Sequence, residues 1–221
     1  MDPAFFLHIG TGLRWLGIAS LPLFLLPLVV LVAPGPVEAF AKRLSVLIDR
    51  CTGFAGAAAI ASALLLVFFQ LLVVVLRYVF GISFTWLNEL VIYAFAAMFM
   101  LGAAAALRDD DHVRVDILRP RFGAAGRNWI ELAGLYFFLF PIMIRILTTG
   151  EQGLIRTWSL FEGSRESDGL PFLYLFKTLV PAFAVLMLAQ GLSQALKAAL
   201  RLTGRLEEPA PPSATEGAHG A

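Results

Sequence analysis

Five long apolar stretches dominate the pattern of hydrophobic and polar positions along the chain. They cover residues 13–33, 54–80, 85–107, 129–149 and 170–196. A membrane core about 30 Å thick takes about 20 helical residues to cross. Backbone polar groups in lipid must bond to one another, so each crossing stretch should be a helix. We therefore predict an all-α integral membrane protein, a bundle of four transmembrane helices preceded by an extra N-terminal hydrophobic helix.

The first stretch, residues 13–33, is open to three interpretations. Its apolar length favours a fifth membrane span. Pro22 and Pro27 each remove a helical hydrogen bond, which favours a broken helix at the membrane interface. A cleaved signal peptide is the third alternative, because residues 39–41 read Ala-Phe-Ala and resemble a cleavage site. The apolar stretch from Trp15 onward is, however, longer than the usual hydrophobic part of such a signal.

Domain boundaries follow from the same pattern. We expect an N-terminal extension over residues 1–44, a four-helix domain over residues 45–203 and a disordered tail over residues 204–221. The tail is rich in proline, alanine and small polar residues, so it cannot bury enough apolar surface to fold.

The composition excludes several classes of protein. Hydrophobic residues make up 59% of the 221 positions and charged residues only 15%, which lies outside the range of ordinary soluble domains. A net charge of +1 without a clustered basic face argues against a nucleic-acid partner. Cys51 is the single cysteine, so the chain cannot form an internal disulfide.

The distribution of basic residues predicts the orientation of the bundle, because loops rich in lysine and arginine stay in the cytoplasm. The loop over residues 150–169 carries two arginines against four acids and should lie outside. The C-terminus should be cytoplasmic. The N-terminus lies outside if the first stretch spans the membrane and inside if it does not. Of the 17 basic residues, 11 lie on the predicted cytoplasmic side: Lys42, Arg43, Arg50, Arg108, Arg114, Arg119, Arg121, Arg127, Lys197, Arg201 and Arg205.

Three of the charged side chains within the predicted spans bear on how the helices pair. Arg77 and Glu89 flank the turn at residues 81–85, so a helical hairpin brings them to similar depth and we expect them to pair. Glu89 falls in the first turn of its predicted helix, where the helix dipole favours a carboxylate. These residues form either a structural ion pair or cap, or a contact with another subunit. Lys177 lies two turns inside the last span, so its ammonium must either extend outward to the membrane surface or pair with an acid, for which Glu89 is the candidate at matching depth.

Small and polar residues within the spans favour close helix packing. The side-chain amides of Gln70 and Gln190 must hydrogen-bond to a neighbouring helix, and the small residues at positions 56–63 permit close backbone approach. We interpret both features first as packing contacts between helices.

The sequence reveals no catalytic constellation. The inner loop LRDDDHVRVDILRPRFG, residues 107–123, contains acids and His112 and so raises a metal hypothesis. Consecutive aspartates are more often a solvated loop, because a divalent ion needs several ligands that converge in space. No Ser/His/Asp arrangement, glycine-rich phosphate loop or pair of helical carboxylates is present. We therefore predict no enzymatic activity, no metal and no cofactor.

Several segments resemble a known family. RYVFGISFTWLNEL (residues 77–90) and FMLGAAAALRDDDHVRVDIL (residues 99–118) are similar to the small membrane subunit, of the DctQ type, of tripartite ATP-independent periplasmic (TRAP) transporters. Three further segments resemble the branch labelled for mannitol or chloroaromatic compounds: WIELAGLYFFLFP (129–141), TWSLFEGSRESDGLP (157–171) and LFKTLVPAFAVLMLAQGLSQAL (175–196).

The resemblance covers residues 45–200, and HVRVD is its most specific part. Asn88 and Glu89 stand where the family usually has Gln-Glu or Glu-Glu. Asn88, like the usual glutamine, carries a side-chain amide. The apolar stretch at 13–33 lies outside the four-helix pattern. On this resemblance, the charge candidates for subunit contact or structure are Arg77, Glu89, His112, Arg114, Asp116 and Lys177.

The resemblance implies a role as well as a fold. In such importers of the bacterial inner membrane, a periplasmic binding protein captures an organic acid and two membrane subunits move it inward with a sodium gradient. The small subunit braces the fixed scaffold of a large elevator-type permease. Two other readings stay open: a structural accessory subunit of a respiratory or photosynthetic complex, and a membrane enzyme, for which the scattered charges give little support.

Overall fold

The computed structural model describes residues 11, 15, 17, 19, 21–109 and 122–207, and within these ranges all regular structure is helical. A 3-10 turn over Leu21–Leu25 precedes the α-helices. These are α1 (Leu26–Val32), α2 (Pro34–Val79), α3 (Thr85–Asp109), α4 (Ala124–Ser159) and α5 (Leu173–Leu202). Four of them, α2 to α5, are long and apolar enough to cross a membrane, which confirms the predicted all-α membrane fold. We call the end of the bundle where α3 ends and α4 begins the inner end, and the opposite end the outer end.

Proline breaks the N-terminal apolar stretch. Pro27 lies in the first turn of α1, where its missing N–H would have had no helical partner. A 3-10 turn bonds residue i to residue i+3, so the carbonyl of Phe24 cannot receive a hydrogen bond from Pro27. The hydroxyl of Tyr136 on α4 donates to this carbonyl instead. The segment Leu21–Val32 rises about 20 Å, less than the thickness of the hydrocarbon core.

The helix α2 is continuous over 46 residues and is about 69 Å long. It is much longer than the predicted span 54–80 and runs through the expected boundary between residues 44 and 45 without a break. Ala33, with φ −139° and ψ 74°, separates α2 from α1, because a residue before proline avoids the helical conformation. Charged residues, among them Glu38, Lys42 and Asp49, interrupt the apolar run over residues 34–53, so this segment does not stand out as an apolar stretch. The buried positions on this extension are Ala41, Ser45 and Thr52.

Small residues let α2 and α3 pack closely. A Cβ atom added at Gly56 would lie 2.9 Å from the Cβ of Ala105, and one added at Gly102 would lie 3.4 Å from the Cβ of Ala59. Larger side chains would force the two backbones apart. The predicted close approach at residues 56–63 is confirmed.

A π-helical turn over Leu135–Leu139 shapes the middle of α4. Pro141 explains it: proline has no N–H, and its ring would clash with the carbonyl four residues earlier, so the helix widens by one residue. The wider turn lies against Gly191 of α5. A Cβ atom there would lie 2.8 Å from the Cδ2 of Leu139 and 3.0 Å from the Cε1 of Phe140, so a larger residue would have to displace these two side chains.

The inner half of α5 is the centre of the bundle, because the buried residues of this helix all lie between Ala184 and Leu200. Val30 of α1 and Ala41 of α2 belong to one of the two apolar clusters that surround it. The other cluster joins it to α4 through Leu132, Leu135 and Phe140. The N-terminal extension therefore packs against the helix at the centre of the fold.

The connection between α4 and α5 is shorter than predicted. Because α4 continues to Ser159, residues 150–159 of the expected outer loop 150–169 are helical. Phe161 adopts a left-handed conformation with φ 45°, which turns the chain out of the helix. Residues 160–172 then form a compact segment, the outer loop. The N–H of Tyr174, in the first turn of α5, donates back to the carbonyl of Glu162 in this loop at 3.1 Å.

Candidate functional site: two polar networks at the ends of the bundle

Polar side chains of α2 and α5 meet at the inner end around Asp49. The Oδ2 of Asp49 lies 2.7 Å from the Nζ of Lys197. Its Oδ1 accepts hydrogen bonds from the Oγ of Ser193 at 2.8 Å and from the Nε2 of Gln190 at 3.1 Å. The Oε1 of Gln190 in turn accepts a hydrogen bond from the Oγ1 of Thr52 at 2.8 Å. We call these five residues the inner network.

Helical spacing brings the members of the inner network together. On α5, Gln190, Ser193 and Lys197 follow one another at intervals of three and four residues, so they share one face of the helix. Gln190 and Ser193 are fully buried, and a buried polar group without a partner costs about 1–3 kcal/mol. Because the carboxylate of Asp49 serves three donors on α5 at once, the network holds α2 and α5 in a single register.

Gln194 and Arg108 extend these contacts to α3. The Nε2 of Gln194 donates to the carbonyls of Leu107 at 2.9 Å and Arg108 at 3.3 Å, which lie in the last turn of α3 and lack helical partners. The Nη1 of Arg108 donates to the backbone carbonyl of Asp49 at 3.3 Å. Its Nε and Nη2 each donate to the carboxylate of Asp109 at 2.7 Å. Three helices are thus joined at the inner end.

At the outer end, Glu89 joins α3 to the outer loop. Its Oε1 accepts a hydrogen bond from the hydroxyl of Ser164, and its Oε2 accepts one from the backbone N–H of Leu170 at 2.6 Å. The backbone N–H of Ser164 also donates to the carbonyl of Leu170 at 2.9 Å. A Cβ atom at Gly169 would lie 2.9 Å from the Oε1 of Glu89, so this position has no room for a side chain. One carboxylate therefore holds both limbs of the loop.

A second carboxylate, Glu162, ties the outer loop to α5 and α4. Its Oε2 lies 2.6 Å from the Nζ of Lys177 and accepts a hydrogen bond from the Oγ1 of Thr157 at 2.9 Å. The hydrogen bond from Lys177, together with that from Thr157, lowers the pKa of Glu162 below its ordinary value of 4.5. The charged form is therefore the one that the folded loop favours.

Aromatic contacts support the same end of the bundle. The Nε1 of Trp158 donates to the Oγ1 of Thr178 at 2.9 Å. The ring of Tyr174 packs edge to face against Trp158, with centroids 4.9 Å apart, and against Phe161 at 5.6 Å. Such pairs contribute about 0.5–1.5 kcal/mol beyond the area they bury. We call the contacts of Glu89 and Glu162, with these rings, the outer clamp.

The predicted partners of Glu89 are wrong. Within the described part of the chain, no salt bridge joins it to Arg77, which is exposed, and Lys177 pairs with Glu162 instead. Glu89 also lies beyond the first turn of α3, which begins at Thr85 and contains no acid there. The carboxylate caps loop backbone rather than its own helix.

Three of the predicted site residues, His112, Arg114 and Asp116, lie outside the described residues, as does the part of the tail from residue 208 onward. Among the residues that the structure does describe, no group of three or more histidine, cysteine, aspartate or glutamate side chains is arranged to hold a metal. Gln190 makes the predicted contact between helices, whereas Gln70 is exposed.

Sequence reasoning missed Asp49, Ser193 and Lys197 as partners. The signal was present on α5, because Gln190, Ser193 and Lys197 form a polar stripe at helical spacing in an otherwise apolar helix. The location of Asp49 opposite that stripe depends on α2 starting about 20 residues before the apolar stretch, which hydropathy does not indicate.

These networks fix helices and a loop to one another; they present no open set of reactive groups. Comparison with protein families gave a match over residues 64–201 to the family described as tripartite ATP-independent periplasmic transporters, DctQ component. Comparisons with curated proteins and with solved structures gave no match. Because the family match covers more than half of the chain and includes α3, α4, the last third of α2 and nearly all of α5, the chain belongs to the DctQ family, the small membrane component of TRAP transporters.

Proposed function

We propose that this chain is the small permease subunit of a sodium-coupled importer of organic acids, of the branch that resembles the mannitol and chloroaromatic-compound transporters. Its role there is mechanical, without enzymatic activity or a cofactor. It braces the fixed scaffold against which the mobile part of a large elevator-type permease moves. Residues 45–203 form the small-permease domain, with an N-terminal extension over 1–44 and a tail over 204–221.

The observation that carries this proposal is that the bundle is tied at both ends. The inner network joins α2, α3 and α5, and the outer clamp joins α3, α4 and α5 through the outer loop. A scaffold that resists the movement of a partner needs helices that cannot slide past one another. Buried hydrogen-bonded networks supply that resistance because each sliding step would leave buried polar groups without partners.

The chain is then a multi-pass protein of the bacterial inner membrane with a cytoplasmic C-terminus. The inner end, which carries most of the lysine and arginine residues, faces the cytoplasm. The outer loop faces the periplasm and offers exposed charges at Arg165, Glu166 and Asp168 to a substrate-binding protein. Glu89 and Lys177 act there as positioning residues for the loop.

Other charged residues are then the candidates for direct contact with the partner subunits. The exposed Arg77 is a candidate at the outer end of α2. In the inner loop, we retain His112, Arg114 and Asp116 as candidates for subunit contact. Removal of loop charges by Arg165→Ser, Glu166→Gln and Asp168→Asn together should weaken docking of the binding protein, and unchanged docking would exclude this contact.

Uptake measurements test the proposal. Vesicles that contain this chain, a large TRAP permease from the same organism and the matching binding protein should accumulate organic acid when sodium is higher outside than inside. Omission of this chain, or of the sodium gradient, should abolish accumulation. Full uptake without this chain would contradict the proposed role and favour the alternative, a structural subunit of another membrane complex.

A further inference from the structure

One exposed face of α2 continues from the membrane span into the inner extension. Phe40, Arg43, Leu47, Arg50 and Phe54 follow one another at intervals of three and four residues, so they form a single stripe along the helix. All five side chains are exposed, and the three apolar ones are 56%, 59% and 79% exposed in chain order. We call these five residues the inner stripe.

The N-terminal part of the inner stripe, around Phe40, lies beside exposed ion pairs. Glu38 forms salt bridges with Lys42 at 2.8 Å and with Arg205 at 3.4 Å, and both basic side chains are more than 40% exposed. Phe40 lies between Glu38 and Lys42 in the chain, at the same height. Exposed ion pairs avoid the hydrocarbon core, because a charged group there is costly to bury. Lipid tails therefore do not cover Phe40.

The length of α2 gives the same result. A helix about 69 Å long exceeds a core of about 30 Å by more than the depth of one headgroup layer. Phe40 is 14 residues from Phe54, which places it about 21 Å further toward the inner end. An apolar stripe that continues beyond the lipid, without a change of helix face, is typical of contact with another protein.

The charges of the inner stripe indicate the chemistry of that partner. Most other basic residues near it are neutralised: Lys42 by Glu38, Lys197 by Asp49 and Arg108 by Asp109. Arg43 and Arg50 form no salt bridge with any described residue. They lie seven residues apart, about 10.5 Å along the helix. A second helix packed along the stripe would meet both guanidinium groups if it carried carboxylates at the same interval.

We propose that the inner stripe is the docking surface for a transmembrane helix of the large permease, one that extends past the inner membrane surface and carries two acidic residues about two turns apart. Apolar side chains of that helix pack between Phe40, Leu47 and Phe54, and its carboxylates pair with Arg43 and Arg50. The contact rests on the proposed function, because it takes the permease as the partner. It places the subunit contact largely outside the residues that define the family, which begin at residue 64.

Photo-cross-linking of the intact complex tests this surface. A photoreactive amino acid replaces Leu47 in the tagged chain, and, as the matched control, the exposed Phe137 on α4. Both variants are produced together with the permease and the binding protein, irradiated in membranes and purified through the tag. We expect an adduct with the permease from position 47, mapped by mass spectrometry to a helix with acidic residues, and none from position 137.

Charge reversal provides a second readout. The double variant Arg43→Glu/Arg50→Glu should lower the amount of permease recovered per tagged chain about tenfold, because like charges then face each other. Arg127→Glu/Arg156→Glu makes the same change in net charge at exposed positions of α4 and should leave recovery unchanged. Equal thermal stability of the two purified double variants shows that both chains fold.

The outcomes separate the inference from the function it rests on. If the unmodified chain recovers the permease but position 47 gives adducts only with lipid or with a second copy of this chain, the docking surface is wrong and the proposed function stands. If recovery of the permease is the same for both double variants, the role of the two arginines is wrong. If the unmodified chain recovers no permease, the proposed function fails and the docking surface fails with it.

Discussion

The ammonium of Lys197 lies 2.7 Å from the Oδ2 of Asp49 and joins the last helix of the bundle to the first long one. The two side chains are 20% and 25% exposed, so both charges are largely shielded from water. A pair of this kind adds little to stability by itself, because its desolvation cost is high. Its removal from one side is costly, however, since the remaining charge is left without a partner.

Asp49→Ala should therefore destabilise the bundle. Lys197 and Gln190 would lose their carboxylate acceptor, and Ser193 would keep only the longer contact of 3.4 Å to the carbonyl of Ser45. We expect a loss of about 2 kcal/mol in the free energy of unfolding. For a chain of this size that corresponds to a decrease of about 4–8 °C in Tm. Thermal unfolding of the purified chain in mild detergent measures it.

Lys42→Ala is the matched control. This substitution removes one partner of the exposed ion pair with Glu38 on the same helix α2, and exposed pairs contribute little. Its Tm should change far less than that of Asp49→Ala. Equal Tm values for the two variants would show that the inner network does not stabilise the fold.

Glu89→Ala should loosen the outer loop while α3 stays intact. The backbone N–H of Leu170 and the hydroxyl of Ser164 lose their acceptor, and hydrogen bonds to a charged group contribute about 1.5–3 kcal/mol. Amide hydrogen exchange at Leu170 should accelerate about tenfold or more. Glu166→Gln, which removes an exposed charge of the same loop, should leave the exchange rate unchanged. Protection of Leu170 that persists in Glu89→Ala would exclude the proposed positioning role.

The contribution of Glu162 to stability should depend on pH in the acid range. Its pKa is lowered in the folded chain, so its contribution is complete above the ordinary value of 4.5 and is lost as the pH falls through the lowered pKa. The difference in Tm between the unmodified chain and Glu162→Gln should stay constant from pH 7 down to about 5 and shrink below that. A difference that is independent of pH down to about 3 would contradict the assignment.

Gly56→Leu should separate α2 from α3. Even a Cβ atom at this position lies 2.9 Å from that of Ala105, so a larger side chain forces backbone movement and should cost about 1–3 kcal/mol. Gly150→Ala on α4 is the control, because nothing lies within 4 Å of a Cβ there. It should leave the fold unchanged or stabilise it by about 0.5–1 kcal/mol, since alanine favours a helix over glycine. An unchanged Tm in Gly56→Leu would show that the two helices are not in close contact.

The four membrane helices could be predicted because their apolar stretches match the thickness of the bilayer. The inner extension of α2 could not be predicted from hydropathy, because Glu38, Lys42 and Asp49 interrupt the apolar run. These charges are nevertheless compatible with a helix: Glu38 and Lys42 pair one turn apart, and Asp49 is neutralised by Lys197. A search for helical periodicity rather than for uninterrupted apolar length is the method suited to such a segment.

The side-chain partners at the outer end could not be predicted from the sequence for a different reason. Because Lys177 and Glu89 share a depth in the membrane, the sequence predicts that they pair. The actual partner, Glu162, reaches Lys177 because Phe161 turns the chain out of α4 in a left-handed conformation that few residues other than glycine adopt. Tertiary contacts of the loop decide this, and no local sequence pattern indicates it.

Affinity purification of the tagged chain in mild detergent, followed by mass spectrometry of the proteins recovered with it, tests the central claim most directly. We predict recovery of a large multi-span permease of the same transporter class in amounts comparable to the tagged chain. Recovery of a different membrane complex without such a permease would contradict the assignment and would mean that this four-helix scaffold serves another assembly.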